Sequence, residues 1–169
     1  MTEQDLIKSA QSIIEAFNNS DWEACKAKMT PDAVYDEAGT SRRMQGLAEI
    51  IPGWQGWKEA MPDISGSVTS AYASGDTVFL EVTWQGTHTG PLQGPSGTIP
   101  ATGKKQITRA AWLAVYEGGA GQDDTPLLRH VGLLGAARPF ARVSRYLPQT
   151  GRWLENRTKR SGSFPTSSS

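Results

Sequence analysis

Residues 76–90, DTVFLEVTWQGTHTG, alternate apolar and polar side chains more regularly than any other part of the chain. Val78, Leu80, Val82 and Trp84 share one face, and Thr77, Glu81, Thr83 and Gln85 take the other, with Phe79 the exception. This is the period of a strand half buried against a core. Without a bulge the same phase carries His88 onto the apolar face, in line with Trp84, where it is either a packed histidine or part of a pocket wall. A Gly/Pro-rich stretch at 89–106 then leads to a second strand at 107–116, ITRAAWLAVY.

Upstream, Leu6, Ala10, Ile13, Ile14 and Phe17 recur at helical spacing over residues 3–18, which predicts a helix that buries one stripe and ends at Asn18-Asn19. Ser20-Asp21-Trp22-Glu23 has the S-x-x-E form of a capping box and predicts a short helix to about Met29. Thr30-Pro31-Asp32 is expected to break it. In the short strand that follows, residues 33–37, Tyr35 and Glu37 share one face and Val34 and Asp36 the other, so one pair must look inward. Arg42-Arg43 is expected on a turn, as a solvated pair. A third helix over 47–61 carries Trp54 and Trp57 three apart, and Pro52 inside it predicts a kink or an altered first turn. Residues 64–74 read as a weaker strand, joined by a tight hairpin at Ser74-Gly75-Asp76 to the alternating stretch. Helices first and antiparallel strands after are the pattern of an α+β fold with the helices on one face of the sheet.

A chain of 169 residues has room for one domain and a tail. Its net charge is zero, yet residues 1–117 hold 9 Lys/Arg against 14 Asp/Glu and the remainder 8 against 3. Cys25 is the only cysteine, which excludes an internal disulfide and suits a reduced, cytoplasmic setting. The N-terminus is acidic and polar and no apolar run approaches the length of a membrane span, so neither a leader nor a membrane partner is expected. His88 and His130 have no carboxylate cluster at ligand spacing, so no metal site is expected, and no G-x-S-x-G elbow marks a serine nucleophile. The basic residues Arg157, Lys159 and Arg160 are too few, and too poor in interleaved aromatics, for a nucleic-acid surface.

Several pieces fall in one family's order and spacing: FNNSDW at 17–22, PDAVYDE at 31–37, Gly46, Gly53-Trp54, Met61-Pro62-Asp63, WQGTHTGP at 84–91 and PATGKK at 100–105. Together they make residues 1–117 resemble the SnoaL-like, or ester cyclase, branch of the nuclear transport factor 2-like superfamily. The resemblance implies a cone, its helices packed on a curved antiparallel sheet around a cavity, and a homodimer through the outer sheet face. It also implies that Glu37 falls where several superfamily enzymes, including ketosteroid isomerase, hold a carboxylate general base. A solvated Asp-Glu pair at a strand end is the other reading of the same residues. Ala111 falls where the named cyclases carry a pocket histidine.

The likeness stops near Glu117. Family members continue into one more long strand, commonly ending H-Y-F-D, and then a helix reading M-L-G-F-L-A-Q-L-G, whereas AGQDDTPLLRHVGLLGAARPF at 120–140 offers no matching strand. Residues 127–131, written CTA-CTT-CGA-CAT-GTT, read TAC-TTC-GAC-ATG-TT one nucleotide on, which is Tyr-Phe-Asp-Met and the start of Leu. A departure from the ancestral frame between 117 and 121 would explain this, and with it the loss of the last strand, its acidic residue and the basic tail. The domain is accordingly expected over 1–140, atypical or lacking its last strand after 117, and a disordered tail over 141–169.

The chemistry this suggests is acid/base catalysis on a small hydrophobic carbonyl compound, without metal or organic cofactor. Glu37 would be the base, His88 a proton partner or electrophile, and Tyr35 or Arg109 a donor to a developing oxyanion. Trp54, Trp57, Trp84 and Trp112 would complete the wall. A non-catalytic module holding an apolar ligand in the same cone would show the same residues.

Overall fold

The computed structural model describes residues 2–94, 97–117 and 127–135. Along the chain come α1 (Glu3–Asn18), α2 (Trp22–Ala27), β1 (Met29–Glu37), β2 (Arg42–Gln45), α3 (Leu47–Ala60), β3 (Ser65–Ser74) and β4 (Thr77–Thr87). A small hairpin, β5 (Leu92–Gly94) and β6 (Gly97–Ile99), precedes β7 (Lys105–Glu117) and β8 (Leu127–Gly135). Six strands form one sheet in the order β2-β1-β8-β7-β4-β3, antiparallel except where β1 and β8 run parallel. Helix α1 packs on β3 and β4 and α3 on β1 and β2, so the helices cover one face of a curved sheet, the α+β arrangement expected.

The expected loss of the last strand is not what the chain does. Residues 127–135 occupy a central place between β1 and β7, with Leu128 and Val131 buried. The strand escapes a period-two reading because those residues stand three apart. A register shift against β7, which pairs Val115 with His130 but Tyr116 with Leu128, lets Arg129 bulge out and returns both to the core. The tail expected from 141 onward lies outside the described residues, as do Arg157, Lys159 and Arg160.

Smaller departures have local causes. Ser20 takes a left-handed conformation (φ 57°) as the chain leaves α1, and the cap of α2 moves on to Asp21, whose carboxylate accepts from Ala24 N at 3.0 Å. A capping box does form, at the start of α1 between Thr2 and Asp5. Thr30-Pro31-Asp32 lies within β1, where the register against β8 shifts between Met29 and Val34 and tolerates the proline. Arg42 and Arg43 open β2 rather than a turn. Helix α3 runs on through Pro52, and a side chain at Gly53 would collide with Met44, so this glycine lets α3 lie close on β2.

At the free edge of the sheet, Asn18 takes the place of a missing strand. Its Nδ2 donates to Gly66 O at 2.9 Å and its Oδ1 accepts from Gly66 N at 2.8 Å. Lys58 Nζ adds bonds to Asn18 O and Ile64 O, tying the ends of α1 and α3 together. Asn18→Ala is expected to lower stability by about 1–3 kcal/mol, since two backbone groups lose their partners; a denaturant midpoint unchanged from the parent would contradict it. Among the described residues no helix is long and apolar enough to cross a membrane, and no group of three or more His, Cys, Asp and Glu side chains could hold a metal ion.

Candidate functional site

Between helices and sheet lies a cavity of about 250 Å³. Helix α1 contributes Ile13, Ile14 and Phe17, and α3 contributes Trp54 and Trp57. From the sheet come Tyr35 and Glu37 on β1, Trp84 on β4, Thr108, Ala110 and Trp112 on β7, and Leu133 on β8. Gly39, Thr40, Gln85 and Gln106 are also on its wall. The rings interlock edge to face: Phe17 meets Trp54 at 6.1 Å and Trp84 at 5.2 Å between centroids, and Tyr35 meets Trp54 at 5.7 Å. Gly66, paired with Trp84 across the β3–β4 ladder, leaves room for the benzo edge of that indole.

Strand pairing sets Glu37 in a row. Arg42, Glu37, Leu133, Trp112 and Leu80 are successive cross-strand partners on β2, β1, β8, β7 and β4, so the side chains of Glu37, Leu133 and Trp112 lie side by side on the cavity wall. Of the two pairs on β1, Tyr35 and Glu37 look inward, at 5% and 6% exposure. Among the described residues Glu37 is the only acidic one on the wall, and its Oε2 is buried with no hydrogen-bond partner. Burial raises its carboxyl above the ordinary value, while the nearby Thr40 hydroxyl, whose 3.4 Å hydrogen bond goes to the Glu37 backbone oxygen, and the charge of Arg42 act the other way. Burial, and then the neighbouring Glu37, push the Tyr35 phenol well above its usual range, so it stays a hydroxyl donor.

Six of the expected residues therefore meet in one place: Glu37, Tyr35, Trp54, Trp57, Trp84 and Trp112. Two do not. His88 keeps the inward phase of β4 but lies past the end of the β4–β7 ladder at Thr87 and Lys105. There its Nδ1 is 3.1 Å from Thr102 Oγ1, its backbone is bonded to Lys104 and Gly103, and it is no part of the cavity wall. Arg109 is exposed on the opposite face, across from Thr83. Ala111 shares that outer face, so the missing histidine there has no bearing on the cavity. Cys25 also stays apart, its thiol pushed up to about 11 by burial.

Comparison with known proteins agrees with this geometry. A family model for SnoaL-like polyketide cyclases matches residues 8–119. The chain belongs to the SnoaL-like polyketide cyclase family. Solved structures extend the likeness at the level of fold. AclR, a proposed hydroxylase from Streptomyces galilaeus, is 20% identical with a TM-score of 0.64 over 87% of this chain and 100% of its own. A SnoaL-like polyketide cyclase, so proposed, from Jannaschia sp. CCS1 is 15% identical with a TM-score of 0.65, over 79% of this chain and 86% of its own. A protein of ketosteroid isomerase-like fold from Catenulispora acidiphila, solved with trimethylamine, is 18% identical with a TM-score of 0.55, over 74% of this chain and 82% of its own. A search of curated proteins finds no match. Membership of the SnoaL-like family, with this cavity, supports a small-molecule-binding or cyclase-type function.

Proposed function

We propose that this SnoaL-like protein catalyses proton transfer next to the carbonyl of a small hydrophobic molecule, with Glu37 as the base and no metal or organic cofactor. The observation that carries the reading is the buried carboxyl oxygen of Glu37, without a hydrogen-bond partner among the described residues, on a mostly apolar and aromatic wall. Ionised, Glu37 removes a proton from the carbon beside the carbonyl, and the electron pair moves onto the carbonyl oxygen as an enolate. Tyr35, two residues back on the same face and kept protonated, donates to that oxygen. Delivery of that proton from Glu37 to a different carbon of a conjugated dienolate gives isomerisation, and attack of the enolate carbon on a second carbonyl of the same molecule, whose oxygen then takes the proton from Glu37, gives ring closure. Glu37→Gln removes the base and keeps the shape, so turnover is expected to vanish while ligand binding persists. Turnover retained in Glu37→Gln would sink the assignment, and a ligand held with no turnover in either protein would favour a binding module.

The proposal includes a cytoplasmic setting and a homodimer through the outer face of the sheet. Tyr72 and Ile107 stand 64% and 66% exposed there, Tyr72 packs beside Phe79 at 6.5 Å, and Leu113 is half-buried nearby. Ile107→Glu is expected to halve the mass seen by light scattering at micromolar concentration; a parent protein already monomeric would overturn the dimer.

A further inference from the structure

The two arginines that open β2 turn to opposite faces of the sheet. Burial along Arg42–Gln45 runs half-buried, exposed, buried, exposed, so Arg42 and Met44 face inward and Arg43 and Gln45 outward. On the outer face Arg43 reaches its ladder partner Asp36 at 3.4 Å. On the inner face Arg42 stands opposite Glu37, and side chains paired in this way have Cβ atoms about 4.5–5.5 Å apart. Among the described residues Arg42 makes no direct ion pair.

Helix α3 fixes where that charge sits. A Cβ at Gly53 would lie 3.0 Å from Arg42 Nη2, so the guanidinium rests in the gap this glycine leaves on the helix, beside Met44. Glu37 lines the cavity and Arg42 does not, which puts the cation behind the wall. Among the described residues no other charged side chain shares the wall with Glu37. Leu133 of β8 and Trp112 of β7 flank it, α1 and α3 offer apolar and aromatic side chains, and the other titratable group is the phenol of Tyr35, kept neutral. Burial works against the charged form of Glu37, and Thr40 and Arg42 work for it.

We propose that Arg42 is a positioning residue for the proposed base: seated at Gly53, its fixed positive charge keeps Glu37 ionised at the pH where it must accept a proton. Its catalytic meaning rests on Glu37 being that base, whereas the coupling of the two charges does not.

The experiment is a pH titration of the Glu37 side-chain carboxyl by carbon-13 NMR in the full chain, the resonance assigned by its loss in Glu37→Gln. Arg42→Met keeps the aliphatic stem against α3 and removes the charge; it is expected to raise the midpoint by at least about half a pH unit. Arg42→Lys restores a cation and is expected to bring the midpoint back to that of the parent. Arg43→Met removes an exposed charge from the outer face and is expected to leave it unchanged. The pH profile of α-proton exchange in 2-tetralone, a small hydrophobic ketone, is expected to move with the carboxyl. Well below the midpoint Arg42→Met should be about threefold slower than the parent, a deficit that closes as pH rises. A midpoint unmoved by Arg42→Met, or moved as far by Arg42→Lys or by Arg43→Met, would overturn the role of Arg42. A moved midpoint with no exchange by any of the proteins contradicts the proposed chemistry and leaves the coupling standing; exchange whose profile ignores Arg42→Met does the reverse.

Discussion

Leu128→Asp is expected to leave no folded protein. Leu128 is fully buried in β8, paired with Met29 of β1 on one side and Tyr116 of β7 on the other. An aspartate there would be a desolvated charge with no partner, among the few changes that cost more than about 4–5 kcal/mol. That is a large part of the about 5–15 kcal/mol by which a domain is stable. Because β8 is central, its loss would also strand the β1–β2 hairpin and free the ladder groups of both neighbours. Leu128→Ala gives a graded version, expected to cost about 2–5 kcal/mol. One residue on, the exposed Arg129 makes only a 3.7 Å surface ion pair with Glu117, so Arg129→Ala is expected to cost less than about 1 kcal/mol. Circular dichroism and urea unfolding of the three variants check this, and a folded Leu128→Asp protein would place β8 outside the core.

Glu37→Gln is expected to do two opposite things. Catalysis of proton transfer should fall by roughly 10²–10⁴, the usual share of a general base. Stability at neutral pH should rise by about 1 kcal/mol, a size common among stabilising substitutions, because a desolvated carboxylate gives way to a neutral amide. The pH dependence separates this from a packing effect. Burial raises the folded-state value of Glu37 above the ordinary 4.5 of a free carboxyl, so between the two values the unfolded chain loses its proton first. Stability of the parent therefore drops as pH rises from 4.5 through the raised value and stays lower above it. The melting-temperature advantage of Glu37→Gln should be present at pH 8 and absent at pH 4; the opposite trend would mean that the carboxylate is stabilised in the fold.

Much of this was legible from periodicity, and the parts that were not have particular causes. The alternation of Val78, Leu80 and Val82 and the stripe of Leu6, Ala10, Ile13 and Phe17 survive in the core because each element buries one face. Parity alone could have separated Arg109 from Trp112: residues an odd number apart on a regular strand face opposite sides, and β7 has no bulge between them. The same parity puts Gln106 and Thr108 with Trp112, and a strand expected to begin at Ile107 leaves Gln106 out because β7 starts two residues earlier, at Lys105. His88 has the right phase but the wrong place, since where a cavity ends depends on the helices above and not on the strand. Ile13, Ile14 and Leu133 carry no mark that separates a wall from a core, because both are built of the same side chains. Strand β8 was hidden by the bulge at Arg129, which breaks period two in the middle of its apolar positions.

The measurement that bears most directly on Glu37 as a base is the exchange of the α-protons of 2-tetralone into deuterium oxide, followed by NMR with parent and Glu37→Gln protein across pH. The expected result is a saturable acceleration over buffer by the parent, rising with pH through a midpoint above the ordinary 4.5 of a free glutamate carboxyl, and no acceleration by Glu37→Gln. Exchange at the buffer rate while 2-tetralone is bound, or equal exchange by both proteins, would contradict a catalytic Glu37.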